Sequence, residues 1–183
     1  MTVTLPPLNI WQKDLVDDYR ANPKGRWFVV KSPRQVGKSV VLEYLLILAS
    51  LSESNSISMA ISPVTSQSRK IYQEIVNTAG NLIRKTNGGL LTIEFINGSV
   101  IYFKSCEQGD NVRGFTTKNS GILCVDEAAF INSDFFYNIC VPITNVYKSS
   151  IFLFSTPKYK QGLFYELYRD DLELCLLQIG HFF

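Results

Sequence analysis

The chain contains a single histidine and no C-x-x-C pair, which removes the usual zinc-ligand sets. Its four cysteines, Cys106, Cys124, Cys140 and Cys175, are widely spaced, and Cys124 lies in an apolar run where a thiol serves as a small buried hydrophobe. That usage argues against a disulfide framework and fits a reduced, intracellular protein. No apolar run reaches the roughly 18 residues that a membrane span requires. The start, Met1-Thr2-Val3-Thr4-Leu5-Pro6-Pro7, lacks a basic segment followed by an apolar one, so it does not read as a secretory signal. Neither charge sign is in excess: 18 Lys and Arg against 16 Asp and Glu leave a formal net charge of +2. A polyanion partner is therefore not announced by global charge, and only a local patch remains open. There is no internal repeat and no low-complexity tract. What remains, with 46% of 183 residues hydrophobic, is one globular domain with a sizeable core over residues 1–183.

Within that domain, short apolar runs alternate with longer ones. Lys13 to Arg20 is amphipathic and ends at the turn Asn22-Pro23-Lys24-Gly25. Trp27-Phe28-Val29-Val30, aromatic and β-branched, predicts a buried strand, and the apolar run that follows predicts a buried helix over 38–52. Ser56 to Ile61 predicts a second strand, closed by Ser62-Pro63. Thr65 or Ser66 is then placed to cap a helix with apolar positions Ile71, Ile75, Val76, Ala79, Leu82 and Ile83, stopped by Asn87-Gly88-Gly89. Two β-rich arms, 91–96 and 100–103, flank Asn97-Gly98, whose tolerance of positive φ predicts a hairpin. A polar loop, 108–117, leads to the strand 121–125, which ends at Asp126-Glu127. A helix over 132–147 is expected to break near Pro142. The strand 151–154 ends at Ser155-Thr156-Pro157, and a helix runs from Gly162 to Arg169. This alternation predicts an α/β fold with a mainly parallel central sheet flanked by helices and an inserted β-hairpin.

The junction between the first strand and its helix is Ser32-Pro33-Arg34-Gln35-Val36-Gly37-Lys38-Ser39. Gly-Lys-Ser between a strand and a helix is the setting of a phosphate-binding loop: backbone N–H groups and the helix dipole converge on an anion. Lys38 is placed to reach the β and γ phosphates of ATP, and the Ser39 hydroxyl to ligate Mg²⁺. Ser32 stands where the usual pattern has its first Gly, and the alternative is an ordinary turn with Ser39 as a helix cap. Ligands of open α/β sheets bind at the carboxyl ends of strands. Asp126, ending an apolar strand, suits the carboxylate that holds the Mg²⁺ water shell, and Glu127 the base that polarises the attacking water. The alternative is that both acids cap the next helix. Ser155 and Thr156 suit sensors of the γ-phosphate, or a turn capped by hydroxyls. Gln12 suits an adenine-reading amide, or a solvated helix residue. Arg34 inside the loop and Arg113 in the polar loop are candidates to neutralise charge on the transferring phosphoryl group, although a solvated cation is as consistent for Arg113.

Together these residues resemble the large terminase subunit of tailed bacteriophages, the motor that packages viral DNA. The resemblance rests on Arg34-Gln35-Val36-Gly37-Lys38-Ser39 without a Gly at the loop start, on Val112-Arg113-Gly114, on 122–130 with Asp126-Glu127, and on Phe154-Ser155-Thr156-Pro157. It covers roughly residues 8 to 168. It implies an ATPase domain with a P-loop core of the additional-strand, RecA-like type. Gln12 would match the family's adenine-reading glutamine, Arg34 the loop arginine, Glu127 the catalytic glutamate, and Ser155-Thr156 the motif that couples hydrolysis to movement. Arg113 resembles the arginine proposed in some members to enter a neighbour's site. The implied partners are double-stranded DNA, a portal protein and a small terminase subunit, with a homo-oligomeric ring when active, a monomer in dilute solution, no membrane, and the cytoplasm of an infected bacterial host as location.

Members of that family normally continue into a nuclease domain. Here the later acids, Asp134, Glu166, Asp170, Asp171 and Glu173, fall mostly on apparently exposed helices, so the converging carboxylates of two-metal cleavage are not expected in this chain. Two other readings use the same motifs: a fragment of a two-domain helicase-like DNA translocase, and a nucleotide-binding assembly module without turnover. The first needs a second motor domain for which this length leaves no room.

Overall fold

The computed structural model describes residues 5–156 and 161–169, together with the backbone of 175–178. Pro157, Asp170, Asp171 and Glu173 lie outside the described residues. In chain order the elements are α1 (Ile10–Ala21), β1 (Trp27–Lys31), α2 (Lys38–Ser52), β2 (Ile57–Ser62), α3 (Thr65–Ala79), β3 (Ile83–Asn87), β4 (Thr92–Phe95), β5 (Val100–Ser105) and β6 (Leu123–Val125). The short helices α4 (Ser133–Phe135) and α5 (Val141–Asn145) follow, then β7 (Ile151–Ser155), α6 (Leu163–Arg169) and β8 (Cys175–Gln178).

The strands form one sheet in the order β3-β4-β5-β2-β6-β7-β1-β8. From β5 to β8 every neighbouring pair is parallel, and β4 runs antiparallel to both β5 and β3. Alternation along the central strands divides the core between the two faces. Phe28, Val30, Ala60, Cys124, Phe152 and Phe154 belong to one cluster, with α1, α2 and α3. Val29, Met59, Ile61, Leu123, Val125, Ile151 and Leu153 belong to the other, with the 128–143 segment and α6. Burial on both faces is what lets these strands be continuously apolar. Register partners Phe28 and Phe152 stack at 4.5 Å and 5°, with Tyr19 of α1 edge-on to Phe152 at 5.3 Å. Each such fully buried aromatic contributes about 1.5–3 kcal/mol through its burial.

Four local expectations are corrected. Helix α3 ends at Ala79, and Ile83–Asn87 is an edge strand, β3, rather than a continuation of the helix. Neither Thr65 nor Ser66 caps α3: Val64 is the cap residue, without a side-chain bond, and the Glu107 carboxylate accepts from the Thr65 N–H at 2.8 Å. In the β4–β5 hairpin only Gly98 is left-handed, at φ +82. Its N–H closes a turn on the Phe95 carbonyl at 3.0 Å, while Asn97 donates its amide to the Ser50 carbonyl at 2.8 Å. The segment expected as a helix over 132–147 with an interruption near Pro142 is helical without a break over 133–145, and what changes is one turn, Phe136–Cys140, which is a π turn. Proline has no N–H to donate, and Val141 reaches back five residues to the Phe136 carbonyl.

Candidate active site

β1 hands the chain to Ser32, whose N–H continues the sheet ladder by donating to the Ser155 carbonyl at 3.2 Å. Ser32 is buried and its φ is not positive, so this position does not call for glycine. The left-handed loop positions are Gln35 (φ 63) and Gly37 (φ 88). Gly37 precedes α2 and provides no side-chain cap, which leaves the first N–H groups of α2 directed into the loop. Ser39 lies in the first turn and does not cap the helix. A Cβ on Gly37 would strike the Gln12 amide.

Lys38 folds back over the loop. Its Nζ donates to the Pro33 carbonyl and to Thr156 Oγ1, both at 2.8 Å, and more weakly to the Ser32 carbonyl at 3.5 Å. Burial lowers its pKa, and the carboxylates of Glu127 and Asp126 oppose that shift. Gln12 stands in the first turn of α1. Its Oε1 accepts the Asn9 N–H at 2.8 Å and its Nε2 donates to the Gly37 carbonyl at 2.8 Å. An amide has two donor hydrogens and two acceptor lone pairs, so one of each remains. Gln12 faces a cavity of about 640 Å³ with Pro6, Trp11, Pro33, Val36 and Val40 on its walls.

β6 delivers the acidic pair. The Asp126 N–H extends the strand pairing to the Ile61 carbonyl at 2.8 Å. Burial, with Glu127 adding to it, raises the Asp126 carboxyl to about 6, against the pull of a backbone hydrogen bond, Lys38 and Lys70. Glu127 is left-handed (φ 48, ψ 46), a conformation that costs a non-glycine residue about 1–3 kcal/mol and clusters at functional sites. Although Glu127 precedes the turn Ala128–Phe130, its side chain does not cap it. The Ser155 hydroxyl lies 3.5 Å from Glu127 Oε2 and accepts the Ala129 N–H at 3.2 Å. The ends of β1, β6 and β7 thus meet: Thr156 holds Lys38, and Ser155 touches both the loop backbone and the acidic turn.

Arg34, Gln35, Lys38, Ser39 and Glu127 line a second cavity of about 510 Å³, which shares Gln35, Gly37 and Val40 with the first. Arg113 does not line it; its Nε pairs with Asp110 at 2.7 Å on the exposed turn after β5. Two further residues on the walls, Gln67 and Phe130, were not among the sequence candidates. The available signal for Gln67 was its place just past the carboxyl end of β2, one of the strand ends that line ligand sites in this class of sheet. Among the described residues no cluster of three or more His, Cys, Asp or Glu is arranged to hold a metal. The donor set nevertheless fits Mg²⁺, which binds through one or two protein oxygens plus phosphates and water. The buried Asp126 carboxyl, with lysines only partly offsetting its cost, suits a nearby cation.

The order β8-β1-β7-β6-β2, with β7 between the loop strand and the acidic strand, is that of a P-loop NTPase fold of the RecA-like, additional-strand type. Residues 30–174 match the family described as terminase large subunit, T4likevirus-type, N-terminal, and the chain belongs to that family. No curated protein gives a significant match. Among solved structures, the ATPase domain of the large terminase of Thermus phage P74-26 superposes with a TM-score of 0.70 at 21% identity, over 89% of this chain and 69% of that one. The large terminase of another thermophilic bacteriophage, in complex with ATP-gamma-S, gives 0.71 at 17% identity, over 93% and 44%. The UvsW helicase from bacteriophage T4 gives 0.56 at 16% identity, over 79% and 51%. This chain therefore spans less than half the length of the terminase solved with ATP-gamma-S. No helix among the described residues is long and apolar enough to cross a membrane.

Proposed function

We propose that the chain is the ATP-hydrolysing motor domain of a large terminase and drives packaging of double-stranded viral DNA into a procapsid. Beyond family membership, one juxtaposition carries the reading: Lys38 of the phosphate loop is bonded to Thr156 at 2.8 Å, and the adjacent Ser155 reaches the Glu127 carboxylate at 3.5 Å. ATP lies across the two cavities, its base beside Gln12 and its phosphates along residues 32–39. Ser39 and Asp126 would hold Mg²⁺, which supplies charge neutralisation at the phosphates. Glu127 takes a proton from the attacking water. The water oxygen bonds to the γ-phosphorus as the bond to the β–γ bridging oxygen breaks, and that electron pair leaves on ADP. Because the Lys38 ammonium has three hydrogens and all are engaged by Ser32, Pro33 and Thr156, a phosphate first replaces the weak 3.5 Å contact to Ser32, and one that draws a second hydrogen also releases Thr156. That exchange couples the nucleotide state to the end of β7. Arg34 acts within its own chain, and Arg113 enters the site of a neighbour in a ring assembled with portal protein and small terminase subunit, in the cytoplasm of the infected host.

Replacing Glu127 with Gln leaves nucleotide affinity near the parent value and lowers turnover by about a hundredfold or more, since an amide accepts no proton from water. Lys38→Ala instead weakens ATP binding by about tenfold or more, through loss of charge-assisted contacts. Fluorescent-nucleotide titration and phosphate release measure the two effects. A Glu127→Gln chain that hydrolyses ATP at the parent rate contradicts the mechanism.

A further inference from the structure

Gln12 of α1, Gln108 of the turn after β5 and Gln67 of α3 all stand at the third position of a helical segment. A glutamine there commonly turns back to accept the backbone N–H of the cap residue, closing a capping box. Gln12 does so with Asn9 at 2.8 Å, and Gln108 with Ser105 at 3.3 Å. Gln67 does not: its Oε1 is buried and has no hydrogen-bond partner in the protein. The work of capping α3 is done from outside. The Glu107 carboxylate accepts both the N–H and the hydroxyl of Thr65 at 2.8 Å, bonds that lower its pKa. Closing no capping box on Val64, Gln67 lies on the wall of the 510 Å³ cavity with Lys38, Ser39 and Glu127.

A buried amide oxygen without a partner is costly, and its persistence calls for an account. The missing partner must be a hydrogen donor. Phosphate oxygens only accept, the hydrogens of Lys38 are engaged by Ser32, Pro33 and Thr156, and the other donors on this wall, Arg34, Gln35 and Ser39, make no hydrogen bond to Gln67 Oε1. Water is the donor that a hydrolytic site brings to this wall. The geometry points to Gln67 as a further catalytic residue: its Oε1 accepts a hydrogen bond from the water that attacks the γ-phosphate, holding that water for Glu127. Orientation of a nucleophilic water by a glutamine amide is an established device in phosphoryl transfer. Gln67 neither gives nor takes a proton; the proton of the water passes to Glu127, and the leaving electron pair to ADP. This inference rests on the hydrolytic reading above.

The test compares the parent chain with Gln67→Met, which keeps length and volume and removes the acceptor. Phosphate release should show kcat lowered about tenfold or more, with KM for ATP and affinity for ADP within about twofold of the parent. The melting temperature should not fall, because the substitution removes an unsatisfied buried oxygen. Retention of ADP–aluminium fluoride, which mimics the transferring phosphoryl group, should drop while retention of ADP alone does not. An unchanged kcat overturns the inference. So does a loss of kcat that comes with equal losses of melting temperature and ADP affinity, which would mark a structural role. If the parent chain releases no phosphate, the hydrolytic reading fails, and the fluoride arm still decides on Gln67: equal retention by the two chains overturns its role, and a selective loss in Gln67→Met supports it.

Discussion

One helical turn beyond Ser39, Glu43 occupies a position on α2 that few carboxylates tolerate. It is 9% exposed, and its carboxyl is raised to about 7, first by burial and then by Glu74 and Asp126, with Lys70 opposing. A carboxyl whose folded pKa lies above its ordinary value of 4.5 binds its proton more tightly in the folded chain. Its contribution to stability is therefore full below that value and is lost as pH rises through about 7. Glu43→Gln should raise the stability at pH 8 by on the order of 2 kcal/mol, and the advantage should vanish near pH 4. Thermal melts of both chains across that range check this, and parallel curves would contradict it. Legibility at this scale was uneven. Lys38, Ser39, Asp126 and Glu127 stood out as candidates because their residue types and spacing are local. Ser32 read as a departure from the usual pattern, and the structure explains it: the position is not left-handed, so glycine is not needed. Gln67 was harder to read: its place just past the carboxyl end of β2 is a weak signal, and nothing local announces that its amide closes no capping box on Val64.

At the scale of elements, the hairpin depends on Gly98. Its φ of +82 disfavours any side chain, and an added Cβ would also meet the Asn55 carboxamide. Gly98→Ala should cost about 1–3 kcal/mol, read as a lower urea midpoint with unchanged slope; an unchanged midpoint would mean that the turn relaxes freely. The central strands β1, β2, β6 and β7 were legible because burial on both faces makes them short and largely apolar, whereas β8 was not expected. β3 was hidden for the opposite reason: three of its five residues, Arg84, Lys85 and Thr86, are exposed, and Leu82 and Ile83 prolong the helical spacing of α3 past its true end at Ala79. The π turn before α5 was foreshadowed by Pro142, but its type follows from the backbone bonding that Phe136 and Val141 achieve.

For the whole molecule, the strand order brings the ends of β1, β7 and β6 side by side, so residues from three distant stretches of sequence share one site. Arg113 is the exception. Its side chain is 58% exposed and paired with Asp110, away from the cavity of its own chain. If a neighbouring chain receives it, Arg113→Ala and Glu127→Gln should each be nearly inactive alone and regain activity when mixed, since Glu127 from one chain and Arg113 from the other complete a site. An arginine supplied in this way contributes about a thousandfold or more to turnover. We propose DNA-coupled ATP hydrolysis at a site shared between chains. Its most direct test is phosphate release per chain, measured over rising protein concentration with and without linear double-stranded DNA. The dilute chain should release phosphate slowly, its specific activity should rise with concentration, and DNA should stimulate it further. Release per chain that stays flat over that concentration range and is unmoved by DNA would contradict the proposal, as would release that never exceeds that of Glu127→Gln.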